Sequence, residues 1–276
     1  MMTPWWPFFG AHQPPFTRDI PVERLWLTPA LREWQARFAA VVAEHGLAVL
    51  TGESGVGKST ALRLVWQTLT PTHYLPLYLP VSDAWTPRQL YRALARLLDW
   101  PPTPFADATE RQVRDTLWTL ATQQGRLPVL ALDEAHLLTP RLLQELRFLL
   151  NFALDTTAPL AVVLVGHTEL RQKLAWRPLE AIRQRVTLAY QLPPFTAEQT
   201  ARYIQHHLER VGIDHPVFTD SALQAGHDWS QGIARRLNAW ARTCLLAAYA
   251  AQSPLVDDSV VATAIHELQW AGTVSS

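Results

Sequence analysis

The sequence predicts an α/β chain in which a parallel sheet wrapped by helices is followed by a small all-helical domain. Three observations carry this. Apolar strand-like runs alternate with amphipathic helical runs from about residue 29 to 192. The stretch "TGESGVGKST" (51–60) sits between one such strand and one such helix. Beyond "PPF" (193–195) the strand-like runs cease and only helical patterns remain.

In chain order, "LREWQARFAAVVAEH" has helical periodicity and "LAVLTG" reads as a buried strand. A helix to about Leu69 and a strand "YLPLYL" follow. "TPRQLYRALARLLDW" reads as a helix opened by Thr86, with Pro87 at its first position. A proline-rich link, "PPTPFAD", leads to the helix "ATERQVRDTLWTLATQQ". Next come the acid-tipped strand "LPVLALDEAH", the helix "PRLLQELRFLLNFAL", the strand "LAVVLVG" and a last strand "RVTLAYQL". Four helices then run to "DDSVVATAIHELQW", with Thr196, Thr219 and Ser230 read as N-caps. The expected organisation is an aromatic, proline-rich N-terminal strap (1–24), an α/β core (25–193), a helical lid (194–270) and a short tail (271–276).

Composition narrows the partners. The 24 basic and 24 acidic residues cancel, so any nucleic-acid surface must be a local patch. Lys58 and Lys173 are the only lysines. One cysteine, Cys244, excludes an internal disulfide and a cysteine-based metal centre, and its apolar helical setting reads as core. No H-x-x-x-H or H-E-x-x-H spacing supports zinc. The proline-broken start lacks the layout of a secretory signal, and no window is long and apolar enough for a membrane span. A cytoplasmic, membrane-free protein is the expectation. Trp34, Trp66 and Trp118 lie within amphipathic helices and read as core, while Trp5, Trp6, Phe8 and Phe9 read as a strap on the chain's own domain.

Chemistry enters with the glycine loop. Gly52, Gly57, Lys58 and Ser59 satisfy G-x-x-x-x-G-K-[ST], in which loop N–H groups and a helix N-terminus face phosphate oxygens. Gly52, Glu53, Ser54, Gly55, Val56, Gly57, Lys58, Ser59 and Thr60 are therefore expected to cradle ATP. Lys58 would reach the β- and γ-phosphates, and Ser59 would coordinate Mg2+. Asp133 would hold the ion through water, and Glu134 would activate the attacking water as general base. "DEAH" also spells a helicase motif, but too little chain follows for the second RecA-like domain such helicases need. His167 or Thr168, after the strand "LAVVLVG", is placed to touch the γ-phosphate or to cap the next helix. Arg185, with Arg183 as the alternative, is expected to reach a neighbouring subunit's γ-phosphate. Arg235 or Arg236 is expected to fold back onto the bound phosphates.

Together these motifs resemble AAA+ ATPases, and more closely the ATPase module of the general-secretion ExeA/GspA family. The resemblance runs from "PPFTRDIPVERLWLTPALREWQARF" through "LTGESGVGKST", "LALDEAHLL" and "LVGHTELRQKL" to "SQGIARRLNAWARTCLLAA". It implies that Arg185 is the arginine finger and Arg235 the lid sensor. The family usually shows Gln-Pro where this chain has His167-Thr168, and Pro where it has Ala234. Secretion proteins with this module continue into a membrane span. The "RDIPVERLWLTPA" entry is similar to that of the stand-alone version encoded beside DDE-type transposases. That likeness implies an ATP-dependent homo-oligomer on double-stranded DNA that marks a target and recruits or activates a DDE transposase. Arg88, Arg92 and Arg96 recur every fourth residue and share one helix face, and Arg111 and Arg114 on the next helix are expected to join them. A secretion or envelope-assembly ATPase is the alternative.

Overall fold

The computed structural model describes residues 4–17, 19–101, 105–150 and 158–270. By internal contacts the chain divides into two units. One holds residues 29–53 and 58–192, the other residues 1–28, 54–57 and 193–276.

The first unit alternates α and β. In order it contains α1 (Pro29–Ala43), β1 (Leu47–Thr51), α2 (Lys58–Trp66), β2 (Tyr74–Pro80), α3 (Pro87–Leu97) and α4 (Ala106–Thr122). Then follow β3 (Leu127–Asp133), α5 (Pro140–Leu150), β4 (Ala161–Gly166), α6 (Glu169–Leu174), α7 (Glu180–Arg183) and β5 (Val186–Gln191). All strand pairings are parallel, in the order β2-β3-β4-β1-β5. The inner strands β1, β3 and β4 are buried at every position, because helices cover both faces of a parallel sheet. The outer strands β2 and β5 alternate towards solvent. Pro76 and Pro80 are tolerated in β2 because an edge strand can spare a donor.

Local signals account for much of this. Thr86 and Gln89 form a reciprocal capping box at the start of α3, with Pro87 at the first helical position. Trp34 is fully buried in α1 and donates its indole N–H to the Ala61 carbonyl of α2 at 3.1 Å. Trp66 and Trp118 are only half-buried. Residues 151–157, where the sequence extends α5, lie outside the described set, as do 102–104 of the "PPTPFAD" link and the 271–276 tail.

The second unit packs α8 (Ala197–Glu209), α9 (Asp220–Ser230), α10 (Ala234–Ala250) and α11 (Asp258–Trp270) around Leu237, Trp240, Cys244 and Leu245. Phe9, Ala11 and Phe16 of the N-terminal segment are buried in this same core. Burial pushes the Cys244 thiol up, so it is an inert filler. Thr196 caps α8 in a capping box with Gln199, and Thr219 caps α9. Ser230 does not act as the expected N-cap of α10. It is the last residue of α9. Gln231 and Gly232 both take left-handed backbone there, turning the chain so that α10 starts only at Ala234. Ser230 Oγ instead accepts from the Gly232 N–H and so braces that turn.

Candidate nucleotide site

The sheet register brings the expected acids together with the loop that follows β1. Leu132 pairs with Leu164, and Thr51 pairs with Gly166. Gly52, Asp133, Glu134 and His167 therefore all leave the sheet at its carboxyl edge, where parallel α/β sheets bind ligands.

Lys58 opens α2. Its side chain is nearly buried, and its ammonium donates to the Gly52 and Glu53 carbonyls at 3.0 and 2.9 Å. The aliphatic stem is thus held inward and the charge sits at the loop. Ser59 and Thr60 follow on the first turn of α2. Asp133 is also nearly buried. Its Oδ2 accepts from the Tyr78 hydroxyl at 2.8 Å, and its Oδ1 from the Glu134 N–H at 2.9 Å. Burial, then the hydrogen bond to Asp133, pushes the Tyr78 hydroxyl up to about 12, so it remains a donor. The oxygen donors Ser59 and Asp133 suit Mg2+, a hard cation that keeps several waters. Between them they would hold it, and it would neutralise charge on the oxygens of a bound phosphate.

Glu134 has a left-handed backbone, φ 57°, a conformation that costs a β-carbon residue roughly 1–2 kcal/mol. The kink turns its carboxylate off the strand line and starts the short 3₁₀ turn Ala135–Leu137. Glu134 Oε2 lies 3.4 Å from His136 Nδ1 and 3.9 Å from His167 Nε2. Burial, and then the neighbouring His167, lowers the pKa of His136 below its ordinary value. Thr168 takes the N-cap position of α6 without a side-chain hydrogen bond to the helix.

The remaining expected residues fall elsewhere. Arg185 precedes β5, and Val186 pairs with Leu47 at the start of β1. This is the amino edge of the sheet, about 17 Å along the strands from the phosphate loop at about 3.3 Å per residue. Arg183 ends α7, half-exposed and 3.7 Å from Glu180. In the second unit, the Arg235 N–H donates to the Gly55 carbonyl at 3.1 Å, and its Nη1 to Ser54 Oγ at 3.3 Å. A β-carbon on Gly55, whose φ is +82°, would stand 2.7 Å from Arg235 Cβ. Glycine is therefore required there by both backbone and space. On α3, Arg88 and Arg96 are exposed and Arg92 half-buried, and the helix contains no acidic residue. On α4, Arg111 and Arg114 are interleaved with Asp107, Glu110 and Asp115, and Arg114 lies 3.7 Å from Glu110. Those two arginines are largely neutralised by their own helix.

Residues 42–174 match the family described as AAA domain. The fold is that of the AAA+ P-loop NTPases. Among solved structures, Cdc6p from Pyrobaculum aerophilum matches with a TM-score of 0.69 at 18% identity, over 91% of this chain and 70% of that one. An ORC chain from the Drosophila complex bound to DNA matches with a TM-score of 0.67 at 22% identity, over 91% of this chain and 63% of that one. These likenesses concern the AAA+ fold. In sequence, the chain is 33% identical over 268 residues to general secretion pathway protein A of Aeromonas hydrophila. The match covers 95% of this chain and 48% of that protein, so the chain spans about half the length of this relative. No described helix is long and apolar enough to cross a membrane.

Sequence reasoning missed two residues of the carboxyl edge. Tyr78 sits near the end of β2, and its contact with Asp133 follows from β2 pairing beside β3, which the apolar run "YLPLYL" does not reveal. His136 was legible only as a letter of "DEAH". Its place beside His167 depends on the turn after Glu134.

Proposed function

We propose that this chain is an Mg2+-dependent AAA+ ATPase of the ExeA/GspA-like kind that oligomerises on double-stranded DNA with ATP. In this reading it regulates DNA transposition in the cytoplasm, marking a target and recruiting or activating a DDE transposase. The loop 52–60 holds the phosphates, Lys58 and Mg2+ on Ser59 and Asp133 neutralise them, and Glu134 takes a proton from the attacking water. Arg235, which contacts Ser54 and Gly55 within its own unit, is the proposed lid sensor. Arg185, on the opposite sheet edge from its own phosphate loop, acts on the nucleotide of a neighbouring copy.

The observation that carries DNA binding is the acid-free arginine row Arg88, Arg92 and Arg96 on α3. Contacts from such a row are to phosphate, with little base reading, and an oligomer multiplies them along one duplex. Arg111 and Arg114 contribute less, because carboxylates surround them. One solved structure that shares the fold is of ORC bound to DNA, which is consistent with such a use of this scaffold. The transposition role rests on the resemblance of the "RDIPVERLWLTPA" segment to stand-alone modules.

A secretion or envelope-assembly role is the second reading, favoured by the 33% identity to the Aeromonas protein. Negative-stain microscopy with duplex DNA separates the two. Rings or filaments that require both DNA and a non-hydrolysable ATP analogue are expected, and the Arg88/Arg92/Arg96→Glu variant should lose them while still binding nucleotide. Dispersed particles in every nucleotide state would favour the secretion reading.

A further inference from the structure

We propose that Glu134, His136 and His167 form a binding site for a transition-metal ion of the Zn2+ class, distinct from the Mg2+ position at Ser59 and Asp133. The three residues come from two adjacent strand ends, and one ligand atom from each lies within 4.8 Å of the other two. Glu134 Oε2 stands 3.4 Å from His136 Nδ1 and 3.9 Å from His167 Nε2. Tetrahedral zinc with bonds of about 2.0–2.1 Å needs its ligand atoms roughly 3.4 Å apart. One edge of the triangle already has that length, and small side-chain rotations close the others.

The donor chemistry points the same way. The His167 backbone N–H donates to His136 Nδ1 at 3.4 Å, a long contact that a metal at that nitrogen would replace. The Glu134 carboxylate faces the same nitrogen at 3.4 Å, so one cation can draw a ligand atom from each. Two imidazole nitrogens and one carboxylate oxygen select Zn2+ or Co2+, whereas Mg2+ demands oxygen ligands.

The surroundings hold the site in place. Lys173 Nζ donates to the carbonyls of His136 and Leu138, which pins the turn that carries His136. Gly166 lets that turn approach β4 closely, since a β-carbon there would stand 3.0 Å from the His136 backbone nitrogen. The imidazoles meet edge to face at 4.4 Å, with planes at 83°.

Occupancy would engage the Glu134 oxygen that the proposed ATPase mechanism needs free. Zn2+ at this site is therefore an inhibitor of hydrolysis, a consequence that rests on the general-base reading of Glu134. Metal binding itself does not rest on it.

The test begins with Co2+ titration of the full chain without nucleotide, followed by visible absorption, and with competition by Zn2+. Intense tetrahedral-type bands that Zn2+ abolishes are expected. His136→Gln and His167→Gln should each weaken binding at least ten-fold, with circular dichroism and thermal melting confirming that both variants fold. Wild-type protein that binds no more Co2+ than the His136→Gln/His167→Gln double variant would overturn the site. Zn2+ should also suppress ATP turnover in excess Mg2+, with recovery on adding a zinc-selective chelator. Metal binding at these residues without suppression would uphold the site and overturn Glu134 as the base.

Discussion

The Tyr78 hydroxyl donates to Asp133 Oδ2 across 2.8 Å, tying the edge strand β2 to the acid at the tip of β3. Asp133 accepts a second hydrogen bond from the Glu134 N–H, so both of its oxygens are oriented before any ion arrives. Tyr78→Phe removes one of these contacts and keeps the ring. Stability should fall by about 1 kcal/mol, since the donor lies partly in solvent. Denaturant titration measures that loss, and nucleotide affinity should be unchanged because the Lys58 contacts are untouched. A variant as stable as the parent would show that the hydrogen bond is negligible in solution.

Gly55→Ala should be far more damaging than its single carbon suggests. The new β-carbon meets Arg235 at 2.7 Å on a backbone with φ of +82°. Strain of roughly 1–2 kcal/mol, together with displacement of the loop tip, should weaken ATP binding by at least ten-fold. Arg235→Ala removes the side-chain contact to Ser54 without straining the loop. It should therefore retain affinity better, and fluorescent-nucleotide titration of the two variants compares them directly.

His207 makes stability depend on pH. It is buried between Phe16, stacked at 5.1 Å, and Tyr203, and burial lowers its pKa from 6.5 to about 3, with Arg210 and His206 adding to the effect. Between these values the unfolded chain binds a proton that the folded chain refuses. Stability should accordingly fall as pH drops below about 6.5, by about 1.4 kcal/mol per pH unit from this residue. His207→Phe keeps a stacked ring and should flatten that slope. Unfolding titrations at pH 7.5 and 5.0 provide the comparison, and an unchanged slope would exclude His207 as its source.

Arg185 and Glu134 lie at opposite edges of one sheet, so a hydrolytic site that uses both needs two copies. Arg185→Ala should lower turnover by about 10³-fold or more while leaving ATP binding intact. Glu134→Gln should be similarly inactive. Mixing the two variants should restore activity, because the Arg185→Ala copy keeps its Glu134 and can borrow an arginine from its neighbour. Absence of any recovery would place the finger elsewhere, and Arg183, already near Glu180, would be the next residue to test.

Much of the fold was legible because local and long-range signals agree. The capping pairs Thr86/Gln89 and Thr196/Gln199 mark two helix starts, and the uniformly apolar "LPVLAL" and "AVVLVG" runs announce strands covered on both faces. Ser230 misled because serine before a helical run is a sound capping signal, and the two left-handed residues that displaced the start include Gln231, which carries no such mark. Among the candidate site residues, Lys58, Ser59 and Asp133 stand in contiguous motifs. Tyr78, His136 and the strain at Glu134 could not, because each arises from strand order or from a turn whose backbone sign the side chain does not encode.

The left-handed backbone at Glu134 sets heat tolerance against turnover at a single codon. Glycine there would relax the backbone and, in the same step, delete the proposed base. A selection for folded, thermally robust protein would thus enrich inactive molecules at this position, and a library screened on solubility alone would rank them as improvements. Any effort to harden this chain has to score turnover alongside melting temperature from the first round.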